Sequence, residues 1–469
     1  MKDGQREWKY KFGTEFEMQE LLKDIEQTDF VVAHNAKFEI QWLQRCGIDA
    51  RKLLVCDTML MQWVYNGNRK APLNLSWVTK HWKLPTKDSY VEWLIHEMGV
   101  CPSEIPTDWL RDYCFADVRA TEALFLLLRD KLAARNQLHI LHVRNLTCIV
   151  LADIEWNGVK LDADRVKEEY EKTATEMAEV QTALFDFTGG INLNSTKQKA
   201  EFLYGTMKFK ELTKWGKKLK TGGGAPLTDT DTIQALTCTN KRQREFVALF
   251  KRYSQLQAAL SKSLNFYMGV CEDYDGHFRA IFNQGTTGTH RLSSSGRKRY
   301  IKRLDAELGV QLQNQARIYK RLYRATRKGL LLGECDGAQL EFRVAADLGR
   351  DAVAIEEISS NADVHSITAQ YLTDAGEPTS RQDAKAFTFK PLYGGSSGSP
   401  AVEAYCEFFK QKYPGIARTQ RDWALSVAEK GRLDTPYGMK FWWSGVKVQA
   451  DGYVTKQTEI YNYPVNIAA

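Results

Sequence analysis

The stretch Gly333-Glu334-Cys335-Asp336-Gly337-Ala338-Gln339-Leu340-Glu341-Phe342-Arg343 decides how this 469-residue chain is read. Ahead of it, Gly329-Leu330-Leu331-Leu332-Gly333 is a short apolar run. It predicts a central strand whose end delivers Asp336. Beyond Asp336 the pattern predicts a helix stopped by Gly349. By itself an aspartate between strand and helix reads as an N-cap. A strand end also holds a carboxylate rigidly, as a metal ligand must be held, so both roles are open at this point.

Further on, Arg381-Gln382-Asp383-Ala384-Lys385-Ala386-Phe387-Thr388-Phe389 is followed by Tyr393-Gly394. Pro378-Thr379-Ser380 predicts a helix start with Ser380 as cap. Arg381, Lys385, Phe389 and Tyr393 recur every four residues, so successive side chains drift by about 40° around a helix. Two cations and two rings then share one face. A helix that buries its rings and solvates its bases gives the same spacing. In the other reading the cations take a triphosphate and the rings a sugar and a stacked base. Lys390-Pro391 departs from both, because proline removes one helical hydrogen bond and clashes with the carbonyl four residues back. A kink or an early helix end is predicted there.

Together, and in this order, the two blocks resemble motifs A and B of the family A (bacterial DNA polymerase I-like) DNA polymerases. The resemblance implies that Asp336 is a catalytic metal ligand shared by two Mg2+ ions, with Mn2+ as an alternative, and that the Gly337 carbonyl helps hold one of them. Such a pair of ions serves phosphoryl transfer by activating the attacking oxygen and holding the triphosphate. It implies that Glu341 excludes a ribose 2′-hydroxyl, and that Gln339 and Arg343 meet the incoming nucleotide and the primer-template. His365, in Asp363-Val364-His365, and Arg381 match phosphate contacts. Lys385 matches a group that binds the triphosphate and protonates the leaving pyrophosphate, while Phe389 and Tyr393 match the nucleotide-stacking positions. Phenylalanine at 389 implies poor use of dideoxynucleotides.

Other blocks extend the resemblance over most of the chain. Leu151 to Asp162 looks like the start of the thumb, and Asn192 to Gln198, with Lys197 as a DNA contact, like its signature. Gly288 to Ser294, containing Arg291, and Leu312-Gln313-Asn314 resemble the segment that grips the duplex minor groove. Between them the basic run Arg297–Arg303 looks like an insertion that adds a backbone contact. Tyr413-Pro414-Gly415 and Thr435-Pro436-Tyr437-Gly438 match the end of the fingers, and Asn462-Tyr463-Pro464-Val465 the return to the palm. The glutamine-glycine expected next is replaced by Asn466-Ile467-Ala468-Ala469, and no His-Asp-Glu of motif C follows within the sequence.

The front of the chain resembles a proofreading nuclease. Val32 to Glu39 looks like the second 3′–5′ exonuclease motif, with Asn35 in place and Glu39 where aspartate is usual. Tyr113 and Asp117 fit the third motif, one helical turn apart. The Asp-x-Glu of the first motif is not found ahead of them, so weak or absent nuclease activity is expected. Phe30 to Ala33 predicts a buried strand, Lys37 to Arg45 a helix, Asp57 to Met61 the start of another, and Thr107 to about Leu141 one long helix.

The composition, 43% hydrophobic and 26% charged, is that of a globular protein. No apolar run suggests a membrane span, and nine singly scattered cysteines suggest a reduced thiol set. Three basic runs, Lys208–Lys220, Arg297–Arg303 and Arg317–Lys328, suit a polyanion. The expected fold is α+β and multidomain. A partial ribonuclease H-like exonuclease domain (1–143) precedes a right-hand polymerase: thumb 144–279, first part of the palm 280–349, fingers 350–431, and a return to the palm from 432. The expected function is a DNA-directed DNA polymerase subunit using primer-template DNA and dNTP, with no membrane, in the cytoplasm of a bacterial or phage-infected cell. A second polypeptide is expected to supply motif C, and a further one the first exonuclease strand. The alternative is a non-catalytic primer-template binding protein.

Overall fold

Val31–Ala33 pairs in parallel with Val55–Asp57, in the register Val31 to Val55 and Ala33 to Asp57. Both strands end where chemistry-bearing residues begin. The computed structural model describes residues 2–3, 6–7, 15–86, 89–214 and 217–468. The chain divides into two compact units. One gathers 1–156, 282–293 and 334–469, and the other 157–281 and 294–333.

In the first unit, helices Lys37–Arg45, Thr58–Asn66, Thr107–Ala134 and Leu138–Asn157 surround the strand pair. Their apolar faces supply Ile40, Leu60, Val64, Leu124, Leu128 and Leu132 to one core. The same core takes Val427, Leu433, Phe441 and Ile460, so the end of the chain is packed with its front. Arg432–Asp434 and Lys440–Trp442 form a hairpin around Tyr437-Gly438. A second core, built on Phe342, Leu372, Leu392, Tyr405, Phe409 and Ile416, joins the Leu340–Gly349 helix to those that follow it. There the Gly349 backbone touches that of Ile416: a methyl on Gly349 would lie 2.9 Å from the Ile416 nitrogen.

Two expectations fail here, and a third, the early helix end at Lys390-Pro391, is met. The long helix from Thr107 does not run to Leu141 but stops at Ala134. Asn136 takes a left-handed φ of 54°, Gln137 N–H donates to the Leu132 carbonyl at 2.9 Å, and Asn136 N–H donates to Ala133 at 2.9 Å. That is a Schellman end with asparagine in the glycine position. The strand expected at Gly329–Gly333 is not formed. Residues 330–337 are irregular and Leu331 is 94% exposed. An apolar run becomes a strand only when a neighbour takes its backbone hydrogen bonds, and none of the described strands lies beside it. The helix from Arg381 ends at Thr388, and Pro391–Tyr393 forms a separate tight turn. Lacking an N–H, Pro391 cannot bond the Phe387 carbonyl, which accepts from Lys390 instead at 3.0 Å.

In the second unit the helices Ala163–Thr188 and Lys241–Ala259 enclose a core of Leu184, Phe202, Phe246, Phe250 and Tyr253. Val159–Leu161 forms the middle strand of three, between Tyr323–Arg324 and His277–Phe278. Arg299–Ile301 and Ala306–Leu308 make a hairpin within the basic run. Part of the Lys208–Lys220 run, including residues 215–216 and the side chains of Lys214 and Lys217, lies outside the described residues. Among the described residues no helix is long and apolar enough to cross a membrane.

Candidate nucleotide and primer-template site

Asp336 stands exposed on the irregular segment ahead of the Leu340–Gly349 helix. Gln339, at the N-cap, has a left-handed φ of 53°, which turns the chain sharply into that helix. One residue inside it, Glu341 accepts a hydrogen bond from the Arg291 guanidinium. Tyr393 lies near enough for the charges of Glu341 and Arg291 to act on its phenol. Burial, followed by the Glu341 charge, pushes the Tyr393 phenol up to about 12, while Arg291 opposes the shift. Tyr393 is therefore a neutral donor at any physiological pH. Residues 50 positions apart in the chain are thus assembled into one cation–carboxylate–phenol cluster. Arg343, exposed, donates to the Ala338 carbonyl at 2.9 Å and so braces the turn bearing Asp336 and Gly337.

On the Arg381–Thr388 helix, Arg381 and Lys385 are exposed, while Ala384 and Thr388 are buried. Because the helix ends at Thr388, the four-residue recurrence does not continue as one straight face. Phe389 turns inward, stacked on Phe342 at 6.1 Å and edge-on to His365 at 5.2 Å. His365 Nδ1 lies 3.0 Å from the Thr388 hydroxyl, and Thr388 joins Thr368 and Tyr405 in a buried hydroxyl network. Burial, reinforced by Arg381 and Lys385, lowers the pKa of His365, although Asp363 opposes this. The imidazole is thereby held neutral.

Arg381 is not left pointing into solvent. It grips Asp363 with both arms, Nε at 2.5 Å and Nη2 at 3.3 Å. Asp363 also caps the Val364–Asp374 helix, accepting from His365 N–H at 3.2 Å and from the Ser366 hydroxyl at 2.8 Å. The Arg381 hydrogen bond is the main reason its carboxyl sits far below the usual range. Sequence reasoning assigned no role to Asp363. The signal for it was its place two residues before His365, where an aspartate caps a helix.

In the front α/β part, the second and third exonuclease-like motifs do meet. Asn35 has a left-handed φ of 66°, and its N–H and that of Ala36 both donate to Asp57 at 3.0 Å. Glu39 is half-buried, and its Oε2 has no hydrogen-bond partner. Burial above all, with added repulsion from Asp57 and Asp117, pushes the Glu39 carboxyl up to about 7. Tyr113 and Asp117 lie half-buried on the Thr107–Ala134 helix. Nearby, Glu155 is buried and fully engaged by Lys37 at 2.5 Å, Gln41 at 2.9 Å and Phe282 N–H at 2.7 Å. In the second unit, Asn314 donates to the Gln311 side chain, and Lys197 is exposed on the short Thr196–Ala200 helix.

Asp336 and the Gly337 carbonyl supply hard oxygen donors of the type magnesium prefers. They are not a complete set. Among the described residues no three His, Cys, Asp or Glu side chains converge to hold an ion.

Residues 163–466 match the family model for DNA polymerase family A. Over 453 residues the chain is 26% identical to DNA polymerase I of Chloroflexus aurantiacus, covering 92% of this chain and 46% of that protein. It is 27% identical over 340 residues to the thermostable DNA polymerase I of Thermus aquaticus, covering 68% of this chain and 38% of the relative. The chain thus spans less than half the length of these relatives. The POL domain of Pol1 from M. smegmatis, solved in complex with DNA primer-template and dNTP, shares the fold. Its TM-score is 0.67 at 19% identity, over 96% of this chain and 76% of that one. With the matched region covering motifs A and B and more than half of the sequence, the chain belongs to DNA polymerase family A.

Proposed function

We propose that this chain takes part in DNA-directed DNA synthesis, binding primer-template DNA and dNTP for extension of the primer 3′ end. The observation that carries the proposal is the Arg291–Glu341–Tyr393 cluster, built on the helix that follows Asp336 in the sequence, in a member of this family. In this reading Glu341, fixed by Arg291, blocks the 2′-hydroxyl of a ribonucleotide, and Tyr393 closes the same pocket. Arg381 and Lys385 present exposed charge to the triphosphate, Lys385 also giving the proton to pyrophosphate. Phe389, backed by Phe342 and His365, supports the sugar and base. Gln339, Arg343, Asn314 and Lys197 meet the DNA. Mg2+, or Mn2+ in its place, is the ion assigned to Asp336 and Gly337, where it would supply positive charge for the triphosphate.

The partial donor set around Asp336 supports a second reading, primer-template binding without chemistry. One experiment separates the two. Extension of a labelled primer is followed with the 469-residue chain alone and with an added palm segment carrying His-Asp-Glu. Incorporation of dNTP under either condition, abolished by Asp336→Ala, establishes the polymerase reading. Tight duplex binding with no incorporation under both conditions establishes the other.

A further inference from the structure

The hairpin Arg299–Ile301/Ala306–Leu308 has a built foundation. Ile301 is fully buried against the Asn265–Asp273 helix at Gly269, where an added methyl would meet its side chain at 2.5 Å. The Lys302 N–H donates to Asp273 at 3.0 Å, and the Tyr274 hydroxyl to the Tyr300 carbonyl at 2.9 Å. Arg303 is consumed by this docking: it lies 3.6 Å from Glu272, stacks over Tyr170 at 4.5 Å, and donates to the Tyr170 hydroxyl and to Asn265. Alternation along the strand then fixes the other face. Ile301 and Arg299 point to the helix, Arg299 over the Tyr274 ring at 4.9 Å. Lys298 and Tyr300 point away, Tyr300 46% exposed, and Lys302 is exposed at the turn.

The hairpin springs from beside Asn314. Gly296 packs so tightly on Gly309–Val310 that a methyl there would lie 2.2 Å from the Val310 nitrogen. Gln313 N–H donates to Ser294 at 3.2 Å, and Gln315 is fixed by Ser263 at 2.9 Å and Tyr267 at 2.5 Å. The acids on the hairpin do not cancel its outer charge. Asp305 accepts from the Tyr300 hydroxyl, and Glu307 sits a loose 3.9 Å from Lys298, both of that pair being well exposed. Such a pair is worth little and yields readily to a polyanion.

We propose that this hairpin is an extra clamp on the phosphate backbone of the primer-template duplex, with Arg297, Lys298 and Lys302 as its cations. The idea rests on the primer-template reading above and extends it to a surface outside the nucleotide site. A pre-set strand pair offers charge at low entropic cost, which favours backbone contact over sequence readout.

The test is fluorescence anisotropy of a labelled primer-template duplex against the 469-residue chain across a series of salt concentrations. R297Q/K298Q/K302Q should reduce the slope of log K against log salt by roughly 3, since each lost phosphate contact removes about 0.9. The double variant K298Q/K302Q, which alters only exposed side chains, should remove roughly 2 and guards against misfolding of the triple one. R303Q should lower the melting temperature and leave the slope alone. Slopes unchanged in both lysine variants, or an equal loss in R303Q, overturn the clamp while leaving duplex binding by the wild type intact. Absence of duplex binding by the wild type overturns the primer-template reading as well.

Discussion

Two sets of carboxylates in the first unit are treated in opposite ways. Around the front strand pair, Asp57 is 1% exposed and takes N–H groups from Asn35, Ala36 and Met59, while Glu155 is buried under Lys37, Gln41 and the Phe282 N–H. Around motifs A and B, Glu341 and Asp363 remain partly open and each is held by one arginine, Arg291 and Arg381. A carboxylate satisfied by backbone donors cannot exchange them without unfolding. One satisfied by an exposed arginine can hand it over to a phosphate. The front set is built to stay and the motif set to trade partners.

The largest effect separates these two fates. Asp57→Ala leaves the buried Ala36 N–H and the part-buried Asn35 and Met59 N–H groups unsatisfied and should cost about 3–5 kcal/mol, read as a lowered midpoint in urea unfolding. Next is Glu341→Ala, which releases Arg291 and, in the proposed function, removes the side chain that blocks the 2′-hydroxyl. Discrimination between dNTP and rNTP in primer extension should fall by about 10- to 100-fold, with little change in stability. If instead the protein unfolds, Glu341 belongs with the front set.

Glu39 is the exception within the front region, and pH reveals it. Its carboxyl is raised from 4.5 to about 7, so the folded chain holds a proton that the unfolded chain has released between those values. Its contribution to stability is full below about 4.5 and is lost as pH rises through 7. Glu39→Gln should abolish that loss, a gain on the order of 2 kcal/mol at pH 8 after allowing for partial exposure, seen as a flatter melting temperature against pH. A wild-type profile with no fall across this window removes Glu39 from the carboxylate cluster. The smallest effect is Asp363→Ala. It loses an exposed cap and an exposed ion pair, about 1 kcal/mol, and frees Arg381, so the Km for dNTP should fall slightly. A rise in Km would mean that Asp363 positions Arg381 for the triphosphate.

Local patterns were readable and distant pairings were not. The Lys37–Arg45 helix, the Ser380 cap and the stop at Pro391 follow from spacing, capping chemistry and the missing proline N–H, all within a few residues. Asn136 was overlooked because left-handed asparagine ends a helix without the glycine that usually signals it. The Leu330–Leu332 run was misread because an apolar run specifies what is to be buried but not whether a neighbouring strand is there to bury it. Within the candidate site, motif spacing identified Asp336, Glu341 and Arg381. The partners that hold the last two, Arg291 at 50 positions and Asp363 at 18, are set by tertiary folding, which no local window reports.

The three leucines at 330–332, 59%, 94% and 55% exposed, have a colloidal consequence. An exposed apolar segment that pairs with no described strand is a template to which another extended chain can add. Self-association of this protein should therefore begin at this tripeptide as concentration rises, and added salt, which weakens repulsion between the surrounding basic runs, should bring it on sooner.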